Sequence, residues 1–323
     1  MTRERRWSHD IESHWVTRPT ISDGTVFVGV GYTDATGTVL GFDIEGGNRT
    51  FEYSCGREVE TRPITDSDGL YVAPNDGSLR CLSPDNGRQH WTCQTPAGVV
   101  SPMAVIGTTL YALTIRGHVL AVDTTEGSVR WQWSGIGAAQ SGVVVNGTTV
   151  YVGTADGCVT ALNRRTGFVR WRRSLGSGVV GRPAVVDDTL MIAMFDGSVR
   201  ALCSQTGDDR WQASVGVCVV GPAIAGSRVV VGDKTGTIHA FERRTGAKRW
   251  KTSLESGISV TLAVAKERAE VLTDAGQLAS LSITDGAIHS SASAPVPSPT
   301  GALLVGDGVC FLAGSGRLVC FDE

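Results

Sequence analysis

Three arginines stand at equivalent points of this 323-residue chain, each directly before a proline. They are Arg18, Arg62 and Arg182. A planar guanidinium pairs through two hydrogen bonds with a carboxylate or a phosphate, so such groups converging on one point would hold a small anion. In the alternative interpretation they neutralise nearby carboxylates, such as those of Glu58 and Glu60, or bind water. The spacing of the arginines leaves both interpretations open.

A second candidate site is formed by Trp15 and its neighbour His14. Trp15 lies outside the regular tryptophan spacing described below, just before a predicted strand. An exposed aromatic side chain on a rigid scaffold is typical of a protein-binding hot spot. These two residues are therefore predicted to contact a protein partner.

No motif in the sequence predicts catalysis or a metal site. The six histidines stand at positions that do not correspond to one another, and each is expected to be an exposed strand or turn residue. The eight cysteines include no Cys-x-x-Cys pair, whereas zinc needs three or four convergent ligands. There is also no phosphate-binding P-loop and no Gly-x-Ser-x-Gly elbow. We expect no catalytic residue, no bound metal and no cofactor.

The candidate residues are carried by a repeat of about 40 residues. Five tryptophans recur at steps of 40, 40, 40 and 39: Trp91, Trp131, Trp171, Trp211 and Trp250. A fixed glycine recurs eight times: Gly37, Gly77, Gly117, Gly157, Gly197, Gly236, Gly276 and Gly316. The residue four positions after this glycine is always small, which would let neighbouring sheets approach closely. A repeat at this period indicates an array of supersecondary units.

Each repeat is predicted to contain four antiparallel strands. Runs of β-branched and aromatic residues predict strands, and Asp-Gly pairs between them supply the positive φ angles of tight hairpins. In the fifth repeat the predicted strands are residues 178–186, 189–194, 198–202 and 210–214. No window has a helical period or the length to cross a bilayer. The sequence therefore predicts an all-β fold, an eight-bladed β-propeller.

The two ends of the chain predict how the propeller closes. The eighth repeat stops before its fourth strand, and the N-terminal segment carries the Arg-Trp pair that ends a fourth strand elsewhere. Residues 1–10 are therefore predicted to complete the last blade together with residues 298–323. This arrangement makes residues 1–323 one domain and removes free sheet edges.

Charge and composition bear on partners and location. The net charge of −3 gives no electrostatic reason to expect nucleic acid or an acidic membrane as a partner. The first residues contain no apolar signal segment and no lipidated cysteine. From these observations a cytoplasmic location without direct membrane insertion is predicted.

The motif Ala-Leu-x-x-x-Thr-Gly-x-x-x-Trp resembles the repeat of the pyrroloquinoline-quinone (PQQ) enzyme family, and of propeller lipoproteins of the outer-membrane β-barrel assembly machinery. The resemblance covers the whole chain and implies an eight-bladed propeller whose motif tryptophans stack on the neighbouring blade. Phe51 and Ser290 depart from the pattern. By this resemblance the structural girdle comprises Trp7, Trp91, Trp131, Trp171, Trp211 and Trp250.

Three functions follow, in order of preference. The first is a non-enzymatic scaffold or adaptor subunit that binds one or more proteins. The second is a sensor that binds a small anion at the channel mouth through the three arginines. The third is a quinoprotein dehydrogenase, although the chain lacks the vicinal cysteines and long inserted loops of PQQ enzymes.

Overall fold

The computed structural model describes residues 5–99, 102–135, 137, 139, 141–218, 220–258, 261–265, 267–293, 304–306, 309–314 and 316–322. Within these ranges every regular element is a β-strand, which confirms the all-β prediction. No helix in the described part of the chain is long and apolar enough to traverse a bilayer. Residues 1–4 and 298–303 of the predicted last blade lie outside the described residues.

The strands run in chain order through three stretches. The first stretch contains β1 (Arg5–Asp10), β2 (Trp15–Val16), β3 (Thr20–Ser22), β4 (Thr25–Gly31), β5 (Gly37–Asp43), β6 (Arg49–Ser54), β7 (Ile64–Thr65), β8 (Leu70–Val72), β9 (Ser78–Leu82), β10 (Gln89–Gln94), β11 (Ala104–Ile106), β12 (Thr109–Leu113), β13 (His118–Asp123) and β14 (Val129–Ser134). The second contains β15 (Val144–Asn146), β16 (Thr149–Gly153), β17 (Cys158–Asn163), β18 (Val169–Ser174), β19 (Val179–Val186), β20 (Thr189–Met194), β21 (Ser198–Cys203), β22 (Asp209–Ser214), β23 (Ala223–Ala225), β24 (Arg228–Gly232), β25 (Thr237–Glu242), β26 (Lys248–Ser253), β27 (Thr261–Ala265), β28 (Arg268–Leu272), β29 (Gln277–Ser282) and β30 (Ile288–Ser293). The third contains β31 (Leu304–Gly306), β32 (Val309–Gly314) and β33 (Arg317–Asp322).

The chain divides into two compact units, each of which contains four antiparallel sheets in the described residues. The terminal unit comprises Arg3–Ser134 and Val296–Glu323. Its sheets are β1-β33-β32-β31, β2-β4-β5-β6 with β3 on β4, β10-β9-β8-β7 and β11-β12-β13-β14. The central unit comprises Gly135–Pro295 and contains the sheets β15–β18, β19–β22, β23–β26 and β27–β30.

The core of each unit lies between consecutive sheets. In the central unit, Val180, Met191 and Trp211 of β19–β22 pack with Val231 and Phe241 of β24 and β25 in one buried cluster. The same relationship recurs between the other successive sheets of each unit. A single sheet of about 20 residues cannot bury both of its faces, so each sheet is stabilised by its neighbours.

The always-small position in the repeat is explained by cross-strand register. Ala161 of β17 lies directly opposite Trp171 of β18, and Ala201 of β21 lies opposite Trp211 of β22. The register shifts immediately afterwards, so a bulge accompanies each tryptophan. In the first repeat, Gly41 faces Phe51 in the same way. A small residue at this position leaves room for the large ring opposite it.

The motif tryptophans also reach from one sheet to the next within a unit. Their indole N–H groups donate to carbonyl oxygens at 2.7–3.0 Å, in the pairs Trp7–Ile44, Trp91–Thr124, Trp171–Ser204, Trp211–Arg243 and Trp250–Ile283. Each ring lies on a turn glycine of the next sheet, with φ between 71° and 80°: Gly47, Gly127, Gly207, Gly246 and Gly286. Trp131 packs against Tyr111, with ring centroids 6.0 Å apart. The girdle role of these residues remains a prediction, which Trp211→Ala tests.

Candidate functional site

The terminal unit contains a cavity of about 240 Å³. It is lined by Trp15, Val16, Thr17, Arg18, Glu60, Thr61, Arg62 and Pro102. Two of the three predicted anion-binding arginines and the predicted aromatic anchor thus line the same cavity.

Short strands and a buried threonine position the two arginines. Arg18 follows β2, and the backbone N–H of Thr17 donates to the carbonyl oxygen of Gly29 at 2.8 Å. The Nε–H of Arg62 donates to the hydroxyl of buried Thr20 at 2.7 Å, and this hydroxyl donates to the carbonyl oxygen of Pro63. A guanidinium anchored through its Nε loses less side-chain entropy when it binds an anion.

The electrostatics of the cavity are set by two guanidinium groups and one carboxylate. The side chain of Arg18 is exposed to solvent, yet surrounding protein atoms displace part of its hydration, and this desolvation lowers the pKa of its guanidinium. The third charged residue in the lining is Glu60. The count of formal charges in the lining is therefore two positive and one negative, a net charge of +1.

Trp15 is half-buried and forms one wall of the cavity. Its ring lies over Gly31, where an added Cβ would come within 1.9 Å of the indole Nε1. That Nε1 is buried and has no acceptor among the described residues. Its neighbour His14 is exposed, and the His14 backbone N–H donates to the carbonyl oxygen of Gly31. The protein-binding role predicted for this pair remains a prediction.

The third arginine belongs to the central unit. Arg182 lies in β19 with an exposed side chain, and its Nε–H donates to the carbonyl oxygen of Val143 at 3.2 Å. Desolvation also lowers the pKa of its guanidinium. Arg18 and Arg62 therefore line one cavity of the terminal unit, and Arg182 is not among its lining residues.

Three of the six histidines are not exposed as predicted: His9 and His118 are half-buried and His239 is buried. His239 is buried in β25, and its Nε2 lies 3.0 Å from a carboxylate oxygen of buried Asp233. Burial lowers the pKa of His239, although the hydrogen bond to Asp233 opposes this shift. The prediction failed because Asp233, whose carboxylate also accepts the backbone N–H groups of Thr235 and Thr237, lies within hydrogen-bond distance of the His239 ring. In the described residues no three His, Cys, Asp or Glu side chains form a group that could hold a metal ion.

An exposed aromatic residue in the central unit was missed by the sequence analysis. Phe168 precedes β18 and is 75% exposed, and Val169 beside it is 45% exposed. Arg164 and Arg165 precede Phe168 in the sequence, and Arg170 follows it. We call Arg164, Arg165, Phe168, Val169 and Arg170 the Phe168 patch. The repeat itself marks Phe168 as unusual, because the residue after the turn glycine is polar or small in other repeats. These residues are Asn48, Arg88, Ser128, Asp208, Ala247 and Ala287.

These features define the class of the protein. Four-stranded antiparallel sheets that repeat about every 40 residues, joined by tryptophan–glycine contacts, are typical of a β-propeller with PQQ-like repeats. The chain belongs to the PQQ_2 family, described as outer membrane protein assembly factor BamB, which it matches at residues 1–139, 132–220 and 196–323. The family resemblance inferred from the repeat is therefore confirmed.

Two curated relatives match parts of the chain. The outer membrane protein assembly factor BamB of Legionella pneumophila is 35% identical over 66 residues, which are 20% of this chain and 17% of the relative. The factor of the same name from Nitrosomonas eutropha is 36% identical over 70 residues, 22% of this chain and 17% of the relative. The matched segments therefore span about a sixth of the length of these relatives.

Solved structures share the fold across the chain. BamB from Moraxella catarrhalis superposes with a TM-score of 0.83 at 19% identity, covering 100% of this chain and 98% of that one. The computationally designed Ika8 protein gives a TM-score of 0.87 at 17% identity, with 99% of both chains covered. The quinohemoprotein alcohol dehydrogenase from Comamonas testosteroni superposes with a TM-score of 0.77 at 12% identity. The match covers 99% of this chain and 76% of that one.

The predicted cytoplasmic location is wrong. The family and the curated relatives are described as outer membrane protein assembly factors, which contradicts that location. The prediction rested on the first residues of the sequence, whereas packing between β-sheets stabilises a fold in the same way in any aqueous compartment. The residues considered therefore do not report where such a protein works.

Proposed function

We propose that the chain is a non-enzymatic interaction subunit of a larger protein assembly that acts in outer membrane protein assembly. The family description, which applies along the whole chain, supports an assembly role. The likeness to the quinohemoprotein is one of fold, and it does not transfer an enzymatic activity to this chain. The Phe168 patch is the observation that carries the proposal.

Phe168 is not needed for the fold of its own repeat. The equivalent turn in the third repeat has Ser128 in place of Phe168 and makes the same backbone hydrogen bond. In the third repeat the Gly127 N–H donates to the carbonyl oxygen of Asp123, and in the fourth the Gly167 N–H donates to the carbonyl oxygen of Asn163. An aromatic residue that is 75% exposed adds little apolar burial to the folded state. Its burial against a partner would be favourable, because large aromatic residues contribute strongly to protein interfaces.

The chemistry of the patch indicates the kind of partner. The patch contains three arginines and no carboxylate, so it is positively charged although the whole chain is acidic. A fitting partner surface has an apolar depression surrounded by acidic side chains. Such a contact weakens as salt concentration rises, because solvent-exposed charges are screened.

Replacing Phe168 with serine is expected to weaken partner binding by about 30-fold or more, which corresponds to the ~2 kcal/mol typical of an aromatic hot spot. The melting temperature should not change, since serine occupies the equivalent position in another repeat. The measurement is affinity purification from the native cell with quantitative mass spectrometry, followed by a titration against the recovered partner.

The control is Val129→Ser, which removes an exposed apolar side chain (43%) from β14, at the position equivalent to Val169. Arg165→Glu should weaken binding further and reduce its salt dependence, because the formal charge of the patch falls from +3 to +1. Recovery of the same proteins, in the same amounts, with Phe168→Ser and with the unaltered chain would refute the Phe168 patch as the interface.

We also propose, from the eight repeats, that the sheets are the blades of one eight-bladed propeller closed by the N-terminal strand. The pairing of β1 with β33 supports the closure step, with Ser8 opposite Val319 and His9 opposite Leu318. A crystal structure that shows another number of blades would refute the ring, and the deletion described in the Discussion tests the role of β1.

A further inference from the structure

We propose that the cavity between Arg18 and Arg62 is a binding site for a small organic monocarboxylate. This function goes beyond the assembly role, and it is carried by other residues than the Phe168 patch. The carboxylate would pair with the two guanidinium groups, and its hydrocarbon part would lie against Trp15.

The size of the cavity limits the ligand. Its volume of about 240 Å³ is below the roughly 300–1,000 Å³ of pockets that hold drug-sized molecules. A carboxylic acid with a short hydrocarbon chain or one small ring is of suitable size. The apolar part of the lining consists of Trp15, Val16 and Pro102.

In this proposal the arginines, and not the threonine hydroxyls of the lining, bind the carboxylate. The Thr17 hydroxyl donates to the Arg18 carbonyl oxygen at 3.3 Å and accepts the backbone N–H of Gly29 at 2.8 Å. The Thr61 hydroxyl donates to the carbonyl oxygen of Ala73 at 3.2 Å. Both hydroxyls thus take part in backbone contacts that hold the strands, and the two guanidinium groups are the cationic groups of the lining.

The charge of the lining favours a monoanion. Two guanidinium groups and the Glu60 carboxylate leave a net charge of +1, which one carboxylate neutralises, whereas a phosphate dianion would bring a second negative charge beside Glu60.

The experiment is isothermal titration of the full chain with butyrate and benzoate, and with butyramide as the uncharged analogue. We expect saturable binding of at least one acid and none of butyramide. Arg62→Gln and Arg18→Gln should each weaken binding about 10-fold or more, as expected for the loss of hydrogen bonds to a charged group. Arg62→Lys should also bind weakly, because lysine keeps the charge but not the planar fork.

The control variant is Arg182→Gln, which removes the equivalent arginine of the central unit and should leave binding unchanged. Glu60→Gln separates the proposal from the interpretation in which Glu60 merely neutralises the arginines. If the cavity binds a carboxylate, removing the competing negative charge should tighten binding several-fold. Circular dichroism melting of each variant shows whether a loss of binding reflects a loss of folding.

A second titration distinguishes a small acid from the C-terminal end of a peptide as the source of the carboxylate. It uses an acetylated tripeptide with a free C-terminal carboxylate, and the amide of the same peptide. Binding of the free-carboxylate peptide but not of the small acids would retain the carboxylate chemistry and assign it to a peptide end. No binding of any carboxylate, equal binding of butyramide, or tighter binding of inorganic phosphate than of every acid would overturn the proposal. None of these results affects the assembly role, which Phe168→Ser tests independently.

Discussion

Replacing Trp211 with alanine should lower the free energy of unfolding by about 3–5 kcal/mol, the range found for large-to-small changes of buried aromatic residues. Trp211 is 8% exposed. Its indole N–H donates to the carbonyl oxygen of Arg243 at 2.8 Å, and its ring lies on Gly246 of the next sheet and near Phe241. Alanine would remove a contact within β19–β22 and also the contact of that sheet with β23–β26.

The matched variant is Trp211→Phe, because the first repeat already has Phe51 at this position. An added Cβ at Gly87 would lie 3.5 Å from the Phe51 ring, whereas at Gly246 it would lie 2.6 Å from the Trp211 ring. Phenylalanine should therefore retain much of the packing and lose the hydrogen bond. Urea denaturation followed by circular dichroism measures both variants. A loss below about 1 kcal/mol for Trp211→Ala would contradict the girdle role.

Deleting residues 1–10 should destroy cooperative melting or cause aggregation. The deletion removes β1, which pairs with β33, and it removes Trp7, whose indole N–H donates to the carbonyl oxygen of Ile44 at 2.9 Å. It also removes His9, whose ring stacks on Phe42 with centroids 4.9 Å apart. We expect a loss of at least about 3 kcal/mol from the tryptophan contacts alone. The exposed backbone of β33 would then offer an unpaired edge to other chains.

Differential scanning calorimetry and light scattering of the deletion variant measure this effect. Ser8→Ala is the control, since it changes an exposed residue of β1 and should alter stability by no more than about 0.5 kcal/mol. A deletion variant that melts at the temperature of the full chain and stays monomeric would show that β1 does not stabilise the fold.

Much of the secondary structure could be predicted because its determinants are local. In the fifth repeat the observed strands β19–β22 begin and end within one residue of the predicted strands. Alternating β-branched residues and Asp-Gly turns act over a few residues, so a sequence window contains them completely. The small residue of each repeat could also be identified from the sequence, where it was attributed to the close approach of neighbouring sheets. The structure gives a different reason. Ala201 is small because it faces Trp211 across the strand pair.

The candidate site could be predicted only in part. Equivalent positions in the repeat singled out Arg18 and Arg62, which line one cavity, while Trp15 was selected as a protein contact and is a half-buried wall of that cavity. Phe168 departs from the polar or small residues at this position of the other repeats, but the departure alone does not say whether its ring is buried or exposed. Its exposure depends on the turn geometry and on which residues lie nearby in space.

Repetition in the sequence by itself determined the fold class, the strand order within a repeat and the family, because each repeat encodes its own hairpins through short-range geometry. The tertiary structure alone decided that Trp15, Glu60 and Arg62 surround one cavity, that His239 is buried against Asp233, and that Phe168 faces solvent. The physical reason is that solvation and cavity shape depend on side chains contributed by different strands. Their distances in space cannot be read from their separation along the chain.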